Sequence, residues 1–120
     1  MPNLHCENFL KFWFPVILYS GIIFTISSLS RIEVPYAQYD LDKVVHVVEY
    51  AILGFLFRRA MSSTTKLSKK TVFWVTVIFC TLYGISDEFH QSFVPGRDAT
   101  WMEALADTIG GTLGGLTYAK

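Results

Sequence analysis

The sequence predicts an all-α protein, a bundle of four transmembrane helices with both termini in the cytoplasm. Three observations predict it. Of the 120 residues, 52% are apolar and only 17% charged, where soluble domains run near a quarter charged. Four apolar stretches mark expected helices at about 12–30, 43–61, 71–92 and 101–119, each near the ~20 residues that carry a helix across a bilayer. Basic residues also segregate to one side of that arrangement. Lipid leaves no partner for an open sheet edge, so the spans are read as helices.

A length of 120 residues bounds the chain to a single domain, 1–120. Mean hydropathy is +0.38. Ten basic and ten acidic residues give zero formal net charge, which excludes a nucleic-acid binder working through a basic field. The apolar content excludes a disordered segment. Cys6 and Cys80 sit in unlike surroundings and are expected as free thiols, not as a disulfide framework.

The first stretch, 12–30, contains no charge and follows Lys11. A cleaved signal peptide competes for it, but no small-x-small cleavage site follows, so a retained helix is expected. The loop at 31–41 holds Pro35, Tyr36 and Tyr39, and tyrosines at that depth belong to the interfacial belt. The second stretch carries Lys43, His46 and Glu49 near its start. The polar, basic loop at 62–70 reads as a cytoplasmic connector that favours anionic head groups. The third stretch turns polar from Ser86, and Pro95 with Gly96 ends it. The fourth is the least hydrophobic and is rich in glycine. Trp13, Trp74 and Trp101 each lie at the edge of a span.

An inside N-terminus puts Lys11, Arg58, Arg59, Lys66, Lys69, Lys70 and Lys120 on the inner face, seven of the ten basic residues. Arg31, Lys43 and Arg97 fall outside. The positive-inside rule then orients the bundle. Of the acidic residues only Glu7 falls inside. Glu33, Asp40, Asp42, Glu49, Asp87, Glu88, Asp98, Glu103 and Asp107 gather toward the outer end.

That end is a polar centre built from three helices. Asp42, His46 and Glu49 follow at i, i+4 and i+7 on one face. Glu49 lies below the interface, where a charge must be paired, protonated or turned to a water-filled cavity. Asp87, His90 and Gln91 share a face with Glu88 beside them, while Phe89 and Phe93 form an apolar strip. Glu103 and Asp107, at i and i+4, continue down to Gly111 and Gly115, with Gly110 and Gly114 alongside. Small residues four apart let helix backbones approach closely. Arg97 is expected to fold back over the carboxylates. Two readings stand side by side. Buried ionic groups, with Lys43 or Arg97 as partner, can simply brace the packing. The same groups can do general acid–base work. His46, Glu88 and His90 are also adequate ligands for a divalent, zinc-like or manganese-like ion, although no compact His-Glu-x-x-His motif occurs.

The run Asp42-Lys43-Val44-Val45-His46-Val47-Val48-Glu49-Tyr50 resembles the first signature of the VanZ-like family. The run Ser86-Asp87-Glu88-Phe89-His90-Gln91-Ser92-Phe93-Val94-Pro95-Gly96-Arg97 resembles its second, and Ala106-Asp107-Thr108-Ile109-Gly110-Gly111 its third. The order is the family's, and Glu103 stands where the family commonly has aspartate. The resemblance implies a multi-pass protein of the bacterial inner (cytoplasmic) membrane, from a family whose founding member is associated with resistance to teicoplanin, a lipid-bearing glycopeptide. It implies a compartment and a phenotype rather than a reaction.

Three functional expectations follow. The first is a membrane enzyme acting on a lipid or lipid-linked envelope precursor. His46, Glu49, Glu88, His90 and Asp107 would be its catalytic groups, and Lys43, Gln91 and Arg97 would hold the substrate, Arg97 through its planar fork on an anionic head group. The second is a non-catalytic protein that binds a lipid or a lipoglycopeptide, with the polar cluster as an ion-pair network. The third, ranked well behind, is ion-coupled transport, for which no broken helix pair is evident.

Overall fold

The computed structural model describes residues 4–28, 37–94 and 101–118. These form four helices and, among the described residues, no strand: α1 (Leu4–Ser28), α2 (Ala37–Thr64), α3 (Lys69–Gln91) and α4 (Trp101–Thr117). Pro35, Tyr36, Pro95, Gly96, Arg97 and Lys120 lie outside the described residues, as do the side chains of Cys6, Glu7, Asp40 and Asp42.

The helices outrun the apolar stretches where the flanking residues favour it. α1 begins at Leu4, ahead of its apolar run, because nothing between there and Phe12 breaks a helix. α2 also takes in residues 37–41 of the expected loop, since that segment lacks a helix breaker. Ser68 caps α3, its hydroxyl accepting from the Thr71 N–H at 3.2 Å. The far end of α3 tightens, with Phe93 N–H bonded to the His90 carbonyl at 3.1 Å and Val94 N–H to that of Gln91 at 3.0 Å.

Successive helices run antiparallel. At one end Trp13 Nε1 of α1 donates to Thr64 Oγ1 of α2 at 3.0 Å, and Arg58 donates to the Gly115 carbonyl near the end of α4. Arg59 lies 4.7 Å over the Phe12 ring and Arg58 5.7 Å over that of Phe73. At the other end Ser28, His46, Glu88, His90 and Glu103 gather from all four helices. Between them lies an apolar layer in which Phe57 and Phe79 stack at 4.2 Å, with Val16, Ile23, Leu53 and Cys80 buried around it.

The α2–α4 seam is the most extensive contact, and glycine makes it possible. A Cβ on Gly114 would fall on the Ala51 carbonyl, one on Gly110 on that of Val47, and one on Gly54 on the Gly111 backbone. Gly111 also admits Cys80 of α3. So the Gly110/Gly114 strip faces α2, and Gly111 and Gly115 turn toward α3. α1 packs on α2 and less on α3, and does not meet α4 among the described residues.

The surface is inverted relative to that of a water-soluble bundle. Phe14, Ile17, Phe89, Phe93, Trp101 and Leu116 are each at least 60% exposed, while His46, Asp87, Glu88, Gln91, Glu103 and Asp107 are buried. Two helical segments, Phe9–Ser28 and Lys69–Gln91, are long and apolar enough to cross a membrane.

Candidate functional site

His46 is the hinge of the polar end. It sits on the buried stripe of α2, one turn above Tyr50 and two above Leu53, and is 4% exposed. Its Nδ1 lies 2.7 Å from Asp107 Oδ1 on α4, and its Nε2 lies 3.8 Å from Glu103 Oε2 one turn higher on the same helix. A neutral imidazole with its proton on Nδ1 donates to Asp107 and presents the Nε2 lone pair on the Glu103 side. This is the arrangement in which a carboxylate fixes a histidine's tautomer and raises its basicity.

Asp107 is wholly buried, and Gly84 of α3 makes room for it. A Cβ at Gly84 would stand 2.8 Å from Asp107 Cβ and 2.9 Å from Oδ2. α3 then contributes Asp87, Glu88 and Gln91 from the stripe that continues Thr76, Cys80 and Gly84. One ligand atom from each of His46, Asp87, Glu88 and Asp107 lies within 4.8 Å of the others. Four ionisable groups from three helices thus meet in one buried volume.

The expected site residues divide. His46, Glu88 and Asp107 come together, and Gln91 is buried at the same end, one turn beyond Asp87 and Glu88 on α3. Lys43 is half-buried one turn above His46. Glu49 and His90 face elsewhere. Three residues along a helix is about 60° off the face, which turns Glu49 toward α1, where its charge reaches Tyr19. The same offset from Asp87 turns His90 to α1. There its ring stacks on Phe24 at 4.2 Å, and its Nε2 lies 2.8 Å from Ser28 Oγ. Ser28 donates to the Phe24 carbonyl, so the imidazole N–H donates to the serine oxygen. Arg97 lies outside the described residues.

Asp87 and Glu103 stand at the centre beside His46, Glu88 and Asp107. Their signal was spacing: Asp87 is three residues after Gly84 and Glu103 four before Asp107. Tyr50, the last residue of the first signature run, lies four residues after His46 and therefore beneath it.

A protein-family model described as VanZ/LLP1 matches residues 2–119. The chain belongs to the VanZ-like family. No curated protein and no solved structure gives a match. The three runs that resemble VanZ-like signatures each deliver part of the buried group: the first His46, the second Asp87 and Glu88, the third Asp107. Segments far apart in the chain are thus joined at one place, and the connecting residues are the apolar lengths that bring them there.

Proposed function

We propose that this VanZ-like chain is a four-span protein of the bacterial cytoplasmic membrane, with both termini in the cytoplasm. In this reading its polar centre opens toward the extracytoplasmic leaflet and acts on a lipid or lipid-linked envelope substrate, lowering sensitivity to teicoplanin. The observation that carries the reading is the buried His46–Asp107 pair, with Glu103, Asp87 and Glu88 around it, inside a bundle whose exterior is apolar. Ionisable groups at membrane depth are costly and are retained for function by default. Arg58 and Arg59 at the opposite end, with Lys66, Lys69 and Lys70, support a cytoplasmic placement of that end.

In this reading Asp107 orients His46, and Nε2 takes or returns a proton at the substrate. Glu88 serves as the second acid–base group. Lys43 and Arg97 hold an anionic head group, Arg97 by two parallel hydrogen bonds.

The test is expression in a teicoplanin-susceptible bacterium beside His46→Ala, Glu88→Gln and Asp107→Asn, with abundance followed by immunoblot. The wild type is expected to raise the inhibitory concentration of teicoplanin, but not that of a glycopeptide without a lipid tail. The variants are expected to lose that protection at unchanged abundance. Full protection by Glu88→Gln would remove the acid–base role.

One observation favours a second reading. Asp107 is 0% exposed, as befits a brace. A purely structural cluster predicts that protection, abundance and melting temperature fall together in every variant.

A further inference from the structure

The carboxylates around His46 are not spread along one helix as capping acids are. They converge from α3 and α4 on an imidazole from α2. The three carboxylates that crowd the histidine within 4.8 Å repel one another when ionised, and a divalent cation among them relieves that repulsion. All four residues are buried, so bulk water screens their mutual repulsion little.

A separate feature points into the same volume. Tyr50 is 0% exposed, and its hydroxyl has no hydrogen-bond partner among the described residues. Helix side chains lean toward the N-terminus, so Tyr50 reaches from its own turn toward that of His46. It stands one turn below His46, whose Nδ1 meets the Asp107 carboxylate at 2.7 Å. A buried O–H directed at such a cluster calls for an acceptor, and a water held by a cation is one.

We infer that the centre is a binding site for one divalent metal ion of the manganese–zinc range, ligated by His46, Asp87, Glu88 and Asp107, with the Tyr50 hydroxyl donating to a water on the ion. One imidazole with carboxylates suits these ions, whereas magnesium keeps most of its waters. Ligands about 2.0–2.2 Å from one ion stand roughly 3.3 Å apart in a tetrahedron. When the ion takes the Nδ1 lone pair, the imidazole proton sits on Nε2, on the Glu103 side, and the 2.7 Å His46–Asp107 contact opens slightly while the wider pairs draw inward, a change of rotamer scale. The inference shares its residues with the proposed function but not its lipid chemistry.

The test uses the full chain in detergent, stripped with a chelator and then equilibrated separately with zinc chloride and manganese chloride. The result expected is uptake of about one ion per chain by elemental analysis, with a melting temperature raised by about 5 °C at saturation. The Asp87→Asn/Glu88→Gln double variant should lose uptake by about 10-fold or more. His90→Ala should bind like the wild type, because His90 faces α1. Wild-type protein that takes up neither ion stoichiometrically and does not melt later with either would overturn the inference. So would a double variant that binds as well as the wild type. If the double variant does not accumulate, the wild-type titration alone decides. A chain that binds metal yet gives no protection against teicoplanin refutes the proposed function and leaves the metal site standing.

Discussion

His46 has a different carboxylate on each ring nitrogen, Asp107 at 2.7 Å and Glu103 at 3.8 Å, both from α4. Because the histidine is buried, loss of the nearer partner leaves a polar group with no water to replace it. Asp107→Ala is expected to destabilise the protein by about 3 kcal/mol, while Asp107→Asn, which keeps an acceptor, costs about 1 kcal/mol. Thermal melting of both purified variants checks the difference, and equal losses would mean the Nδ1 bond contributes little. At this scale residue types and spacings were legible. Which histidine belongs to the centre was not. His46 and His90 read alike in the sequence, yet one meets Asp107 and the other Phe24 and Ser28. A helix period ranks residues by angle about their own axis, and a difference of about 60° sends Glu49 and His90 toward another neighbour.

At the scale of elements, α4 acts as the wedge. Its glycines let α2 and α3 close on it, and that approach carries Glu103 and Asp107 to His46. The two strips were visible as four-residue spacings, but not which helix each would meet. Gly114→Val is expected to cost about 3 kcal/mol or to prevent accumulation, because its Cβ would fall on the Ala51 carbonyl. Gly21→Ala on α1, with nothing within 4 Å of the added Cβ, is expected to change stability by less than about 1 kcal/mol. Melting of the two variants side by side tests whether the seam or glycine content itself matters. If Gly114→Val melts like the wild type, the close approach at Ala51 is not what holds α2 to α4.

At the scale of the whole molecule, polarity is inverted: large apolar side chains face outward, while His46, Asp87, Glu88, Glu103 and Asp107 face in. The ends differ in charge as well, with Arg58 and Arg59 at one and the His46 cluster at the other. The proposed orientation predicts that, in a cysteine-free background, Ser92→Cys reacts with an impermeant maleimide added to spheroplasts. Lys66→Cys should react only after lysis. The opposite pattern would reverse the bundle and put the centre on the cytoplasmic side.

The sequence by itself determined that the chain is helical, that its helices show apolar surface, and which polar residues each brings to one end. Those properties are local, since periodicity and composition set what a helix is and which stripe of it is polar. The tertiary structure alone decided that α2, α3 and α4 share the cluster while α1 takes Glu49 and His90 on its flank. Rotation and pairing of helix axes depend on where two backbones can touch, and that is a property of facing surfaces at Gly84, Gly110, Gly111 and Gly114, which no single helix contains.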